Sequence, residues 1–555
     1  MIRTIAELPF VSAERFGDRP ALQYRSGGGW QHQSFTEVGV LVDALARGFA
    51  AYGVGPGDRV CILAETTPEW TLAALGVLSA GGVVVPIYAT SSPEECAWVI
   101  TDSGARIVVC ADEARDRIDG LALAESPQVI SLESGLESLA QLGSGQADLY
   151  DRRAAVQPTD PALIIYTSGT TGPPKGCVLT HRNWLRIGEL TEELNYVRAG
   201  DVVYLFLPLA HVFAQMVQFA SLSIGATLVY WGGDLTKIVP ELVEVRPTFL
   251  PAVPRIFEKL YAAMTAGLDP AAVNQAVSVG LRIQQLQREG SAVPAELAAA
   301  QAELEPLFAK VRGAFGGRLR QALCGAAPIA QEVLEFFHAA GVPVLEGYGM
   351  TETTGVGTVN EIHLFKAGSV GRATPGVELR LGVDGEIEMR GPHVFAGYWN
   401  NPAATAATMT DDWIRTGDLG EIDADGFVRI TGRAKDIIVT SGGKNLSPAN
   451  LENDLRQSPW ISHAIVYGDR RPYPIALLTV DPDTAGAAGP EEILKVVTEV
   501  VDSVNARYSK ASQIKRFAIL DRELTVETGE LTPSMKVKRR VVADNHAAVI
   551  ESLYT

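Results

Sequence analysis

"RVCILAETTPEWTLAALGVLSAGGVVVPIYATSSPEECAWVITDSGARIVVCAD", residues Arg59 to Asp112, alternates short apolar, β-branched runs with longer helical patterns. "RVCILAE", "VVVPIYA" and "RIVVCAD" read as strands, with "PEWTLAALGVLSAG" and "SPEECAWVITDSG" as helices between them. Near-continuous apolar strands joined by helix-length crossovers predict a parallel sheet with crossover helices. The rhythm returns near residue 230 in "TLVYWGG", "TKIVPELVEVR" and "TFLPAVP". The expected fold class is α/β.

Outward from this core the character changes twice. Between Arg255 and Gly325, Ala, Gln, Glu and Leu dominate, as in "PAELAAAQAELEPLFAKVRGAF", predicting a long helical excursion on the outside of the core. After Glu378, "ELRLGVDGEIEMRG" and "GEIDADGFVRITGR" read as hairpins turning at Asp384-Gly385 and Asp425-Gly426. From about Ala434, short strands ("HAIVYGD", "IALLTVD") and a helix near "EEILKVVTEVVDSVNARY" suffice for a small α+β domain of ~120 residues. The expected division is a large α/β domain over 1–433, with mixed sheets, flanking helices and a small β-rich subdomain, and a small α+β domain over 434–555.

The 555 residues exceed one ordinary core. A net charge of −18 argues against nucleic acid, which selects a basic face. Cys61, Cys96, Cys110, Cys177 and Cys324 lie far apart with no CxxC pair, suggesting reduced thiols in the cytoplasm. The start, "MIRTIAELPF", has no apolar secretory core. Trp70 to Pro93 and Tyr204 to Gly233 are uncharged and long enough to imitate membrane spans. Their Gly, Pro, His and Gln residues fit broken helix–strand segments of an α/β core better, leaving room for loose membrane-surface contact.

The chemistry concentrates where apolar runs end. "IIYTSGTTGPPKGCVLTHRNW", Ile164 to Trp184, sets glycines and hydroxyls around a single cation, Lys175. Glycine lets backbone N–H groups approach an anion, so phosphate is the first reading; a mobile surface loop is the plainer one. Walker A spacing is absent, because Pro174 precedes Lys175. "LCGAAPI", "EGYGMTET", "RTGDL" and "GRAKDIIVTSGGKNLSP" share the same logic, and loops leaving the strand ends of an α/β sheet line one crevice.

In this order, and with a terminal lysine in "LTPSMKVKRR", these stretches resemble the adenylate-forming superfamily of acyl-CoA synthetases, luciferases and peptide-synthetase adenylation domains. The likeness runs from about residue 10 to residue 545. It implies that Thr167, Ser168, Gly169, Thr170, Thr171 and Gly172 grip the β- and γ-phosphates of ATP, with Lys175 adding charge. Gly325, Ala326 and Ala327 would form a flat wall for adenine, and Ala326, where relatives often have glycine, would tighten it. In "EGYGMTET", which includes Gly349, Tyr348 would stack on adenine, Thr351 touch the α-phosphate and Glu352 hold Mg²⁺, a hard cation suited to carboxylate and phosphate oxygens. Asp418 and Arg433 would bind the ribose, although Asp418 alone could be a turn or cap residue. His211 would lie beside the acyl carboxylate.

Lys536 would stabilise the charge that develops as a carboxylate attacks the α-phosphate, in the first half-reaction only. The small domain would then rotate about Lys435, bringing Gly442 and Gly443 in to pass the pantetheine arm of coenzyme A. Lys538, Arg539 and Arg540 read as solvated charges. "LPLAHVF", "VPRIFEKL" and the helical insert before "CGAAP" look like the long-chain fatty-acid branch. The region Val212 to Trp231 would line the acyl channel, with Gln215 where an aromatic gate is expected and Trp231 as a substitute. The implied substrates are a fatty acid, ATP and coenzyme A. The alternatives are a fatty-acyl-AMP ligase that loads a carrier protein, and a non-catalytic ATP- or lipid-binding relative.

Overall fold

The strand Val83–Ile87 is buried at every position, the outcome its unbroken apolar run demands when helices cover both faces of a sheet. It pairs in parallel with Arg59–Leu63, which pairs in parallel with Ile107–Cys110. These are the three strands expected from Arg59 to Asp112. The computed structural model describes residues 2–167, 173–441, 445–510, 512–533 and 535–555.

Among the described residues the large part of the chain holds a seven-stranded and a nine-stranded sheet, and a five-stranded one beside them. In the seven-stranded sheet Pro161–Thr167 and Lys175–Thr180 pair antiparallel, with Thr167 opposite Lys175 and Gly397–Tyr398 at the edge beyond them. In the nine-stranded sheet, Val202–Leu205, Phe249–Ala252, Gln321–Cys324 and Val344–Tyr348 run parallel. Their C-terminal ends therefore lie along one edge.

The two uncharged stretches resolve as the helix Pro68–Ser79 with the strand Val83–Ile87, and as the helix Val212–Ile224 between two strands. Both helices are buried nearly all round and share one core cluster with strands of both large sheets. No helix among the described residues is long and apolar enough to cross a membrane. The helical excursion is three helices, Pro254–Thr265, Pro270–Arg288 and Ala295–Ala314. Both Asp-Gly hairpins form, and Asp384 and Gly385 take the positive φ their turn needs. From Ile438 onward the chain packs into two clusters of its own around the strands Ile461–Tyr467 and Ile475–Val480.

Candidate active site

The parallel strands decide what meets at their shared edge. After Val202–Leu205 comes His211; after Gln321–Cys324 come Gly325, Ala326 and Ala327; Val344–Tyr348 runs directly into Gly349, Thr351 and Glu352. This is the crevice where an α/β sheet binds ligands. Gly349 is required there, because a Cβ would stand 2.5 Å from the backbone of Gly355 and Val356. Ala326 adopts φ +69°, a conformation that disfavours a side chain. Besides the tighter wall expected of it, Ala326 thus carries a backbone strain that glycine would not.

Asp418 and Arg433 are register partners on adjacent antiparallel strands, so the sheet itself builds their ion pair. Arg433 Nε donates to Asp418 Oδ1 at 2.8 Å, and the Tyr348 hydroxyl donates to Asp418 Oδ2 at 2.6 Å. This second bond ties the five-stranded sheet to the nine-stranded one. Asp418 is buried and Arg433 half exposed.

Glu352 is buried, and its Oε1 accepts the Tyr398 hydroxyl at 2.6 Å. The Lys175 ammonium lies 4.6 Å from the centre of the Tyr398 ring, a cation–π contact. Tyr398 therefore links Lys175 to Glu352, a connection sequence reasoning missed and that no local pattern around "AGYWN" announces. The indole N–H of Trp98 donates to the carbonyl of Pro174, the residue before Lys175, at 2.9 Å. Thr167 contacts the Cys177 sulfur, 3.9 Å away. Ser168, Gly169, Thr170, Thr171, Gly172, Gly442 and Gly443 lie outside the described residues.

The His211 pKa falls to about 3, because burial penalises the imidazolium and the Lys536 ammonium repels it. Nδ1 of His211 accepts the Phe213 N–H at 3.2 Å, which leaves Nε2 as the protonated nitrogen of a neutral ring. Lys536 itself is lowered, first by burial and then by the Arg433 charge, while Asp418 and Glu352 oppose the shift. The residue as a whole retains exposed surface, but protein crowds its ammonium end, and that end governs the shift. The C-terminal lysine thus shares one electrostatic neighbourhood with His211, Glu352, Asp418 and Arg433. Lys435 is exposed, two residues after Arg433 in the chain. Lys538, expected as a solvated charge, instead reaches Glu95 at 3.4 Å, and Arg539 pairs with Glu452 at 2.7 Å.

A tunnel of about 820 Å³, its open mouth included, starts at His211, Gly325 and Tyr348 and runs into the protein. One face of the helix Val212–Ile224, carrying Val212, Met216, Val217 and Ala220, lines it. Gln215 faces away and is no gate: its side-chain N–H donates to the Leu209 carbonyl, and it accepts from Gln218 at 3.1 Å. Gln218 in turn accepts the Thr71 hydroxyl at 2.5 Å. An amide buried in an apolar helix must find partners, and these two find them in the protein core. Trp231 is not among the lining residues either. Glu346, one residue before Gly347 and Tyr348, is a second group sequence reasoning passed over. Its Oε2 has no hydrogen-bond partner among the described residues, and burial pushes its carboxyl up to about 8.

The parallel strand ends and the Asp418–Arg433–Tyr348 group beside them meet in one crevice, served by two unequal parts of the chain. The chain belongs to the AMP-binding enzyme family, whose model matches residues 10–399, with the family's C-terminal domain matching residues 435–555. It is 38% identical over 560 residues to the long-chain-fatty-acid–CoA ligase FadD15 of Mycobacterium bovis, covering 95% of this chain and 93% of that one. It is 31% identical to the long-chain-fatty-acid–CoA ligase ACSBG2 of Mus musculus, covering 99% and 93%. Its fold matches the o-succinylbenzoate coenzyme A synthetase of Bacillus subtilis in complex with ATP and magnesium ion, with a TM-score of 0.72 and 23% identity, over 96% of this chain and 98% of that one.

Proposed function

We propose that this chain activates a fatty acid with ATP, forming an acyl-adenylate and releasing pyrophosphate, and then transfers the acyl group to coenzyme A, releasing AMP. One observation carries the reading: His211 lines the mouth of the apolar tunnel and at the same time feels the Lys536 charge. The hydrocarbon site and the proposed phosphate-activating cation therefore meet at one residue. The tunnel suits an unsubstituted chain. Thr191, Thr358 and Thr374 donate their hydroxyl protons to the carbonyls of Ile187, Val370 and Gly357, and Tyr196 donates to that of Asn360. A polar tail would find no donor among these four. The relatives named as long-chain-fatty-acid–CoA ligases support the same substrate class.

The acyl carboxylate lies at the tunnel mouth, where the Nε2–H of neutral His211 donates to it. One carboxylate oxygen attacks the α-phosphorus and pyrophosphate departs with the bond electrons. Lys536 offsets the charge gathering on the phosphate oxygens in a site where burial makes a cation count. Tyr348 packs on adenine beside Gly325, Ala326 and Ala327, Asp418 and Arg433 hold the ribose, and Thr351 and Lys175 meet phosphate oxygens. Glu352 fits a site for Mg²⁺: its carboxylate has about four lone-pair positions, of which Tyr398 takes one. A single protein carboxylate is what Mg²⁺ needs when phosphates complete its shell. The ion's contribution is to neutralise phosphate charge.

For the second half-reaction the C-terminal part, with its boundary at residues 433 and 434, rotates about Lys435. The thiol of coenzyme A then attacks the mixed anhydride and AMP leaves. The enzyme is read as cytoplasmic, with room for loose membrane contact, and its free, buried cysteines fit that setting. Pyrophosphate release over a panel of straight-chain acids, with and without coenzyme A, tests the whole. Lys536→Ala should lose adenylate formation by a few hundredfold while still converting supplied acyl-adenylate to thioester. Lys435→Pro should do the reverse. Pyrophosphate release without AMP release on adding coenzyme A would point to a carrier protein as acceptor.

A further inference from the structure

We infer that Tyr196 and Phe249 form the floor of the acyl tunnel, and that this floor sets a straight-chain reach of about ten carbons from the carboxylate. The inference rests on the site's being a fatty-acid site and adds to it the residues that measure the chain.

Strand register fixes where the two rings lie. Phe249 opens its strand, level with Val203 and Gln321 on its parallel neighbours. Gln321 Nε2 donates to the Tyr196 carbonyl at 2.9 Å. Tyr196, Phe249 and Gln321 therefore sit at the N-terminal edge of the parallel strands, opposite the C-terminal edge that carries His211 and Gly325. Both rings line the tunnel and both are buried. They meet edge to face, with centroids 6.2 Å apart at 89°. The Tyr196 hydroxyl donates to the Asn360 carbonyl, so this ring is held at its tip as well as by its neighbour. A ring fixed at two points is a wall and not a swinging side chain.

Two independent measures give the depth. From Gln321 to Gly325 the strand advances four residues, about 13 Å at roughly 3.3 Å each. From His211 to Ala220 the lining helix advances nine residues, about 13 Å at 1.5 Å each. An extended hydrocarbon advances about 1.25 Å per carbon, from a C–C bond of about 1.5 Å at a tetrahedral angle. About ten carbons thus reach from mouth to floor, and a longer acid must bend or displace Tyr196. Ala220 is a small side chain on the lining helix near that depth, so enlarging it raises the floor.

The test is kcat/KM for pyrophosphate release with hexanoic, octanoic, decanoic, dodecanoic and palmitic acids. The wild type should gain roughly fourfold per carbon up to decanoic or dodecanoic acid, the worth of one buried methylene, and then level off. Tyr196→Ala should raise the palmitate-to-decanoate ratio by at least about tenfold, more than one methylene's worth. Ala220→Phe should lower the decanoate-to-hexanoate ratio by a similar factor, and it serves where Tyr196→Ala fails to fold. Tyr196→Phe keeps the ring and should keep the wild-type ratio. A wild-type gain that continues unbroken to palmitate, with ratios unmoved in Tyr196→Ala and Ala220→Phe, overturns the floor while leaving the fatty-acid reading standing. A folded wild type that releases pyrophosphate with none of these acids overturns the fatty-acid reading itself.

Discussion

Asp418→Asn isolates the nucleotide half of the site. The Asp418 carboxylate has about four lone-pair positions; Tyr348 and Arg433 occupy one each. The two that remain match the two hydroxyls of a ribose. Hydrogen bonds to a charged acceptor contribute about 1.5–3 kcal/mol each, so the pair amounts to at least about 3 kcal/mol, or roughly a hundredfold in kcat/KM. The wild type should prefer ATP over its dideoxy analogue by at least that factor. In Asp418→Asn the amide nitrogen cannot accept, so it either faces the Arg433 Nε–H donor to donor or turns the Tyr348 hydroxyl into an acceptor. The amide oxygen serves Arg433 where it can, and the ribose is left with weaker, neutral partners in place of a carboxylate. The preference should shrink below about tenfold, one neutral hydrogen bond's worth. The assay is pyrophosphate release at saturating fatty acid with each nucleotide, beside a thermal unfolding curve. A folded Asp418→Asn protein that discriminates as well as wild type would refute the ribose assignment and leave Asp418 as a structural clamp between two sheets.

Lys536 is lowered by burial and by Arg433, so its ammonium is present below its pKa and lost as pH rises through it, earlier than for an ordinary lysine. Since kcat/KM reports the free enzyme, it should fall on the alkaline side at a lower pH than an ordinary lysine would give, and Lys536→Arg should remove that limb; a limb unchanged in the arginine variant assigns it elsewhere. Ala326→Gly should relieve the positive φ and stabilise the protein by up to about 1 kcal/mol, read as a higher denaturation midpoint; a lower midpoint would show that the methyl group packs usefully. Glu346 has a carboxyl raised to about 8, so folding takes up a proton between pH ~4.5 and 8. Its contribution is most favourable below that window and declines across it by up to about 1.4 kcal/mol per pH unit. Glu346→Gln should flatten this decline in urea titrations across the window, and an unaltered slope would show that Glu346 is not its source.

The sequence makes the α/β core legible because parallel strands such as Val83–Ile87 are buried on both faces and so carry unbroken apolar runs. The Asp-Gly hairpins were equally plain, since their turns need residues that accept positive φ. Three things were out of reach for physical reasons. The N-terminal strand Pro20–Ser26 joins the nine-stranded sheet beside Thr227–Tyr230, a pairing about two hundred residues distant that no local pattern encodes. The contacts of Tyr398 with Glu352 and Lys175 likewise bring together residues far apart in the chain. The helix Val212–Ile224 is apolar almost all round, so its tunnel face cannot be phased from hydrophobicity. Its two glutamines did hold a clue: three residues apart in an apolar helix, they needed protein partners, and a hydrocarbon tunnel offers none.

Among the described residues, three polar contacts help bring Lys536 to the site. Lys538 pairs with Glu95, whose other oxygen already accepts the Ser92 N–H that caps its helix. Arg255 pairs with Asp481 at 2.7 Å, and the Thr90 hydroxyl donates to the Pro533 carbonyl at 3.3 Å. Partly exposed ion pairs contribute about 0–1 kcal/mol each and a neutral hydrogen bond about 1 kcal/mol, so these three contacts together favour the orientation by only a few kcal/mol. A ligand can overturn a preference of that size if it binds the two orientations unequally. In the proposed mechanism the depressed Lys536 supplies the inequality: without anionic phosphate nearby, burial works against its ammonium, and with ATP in place the triphosphate charge would favour it. Departure of pyrophosphate removes most of that charge and leaves the lysine in an unfavourable place. The residue proposed to speed the first half-reaction is thus the one whose discomfort afterwards favours the proposed rotation, and the weak contacts let it go.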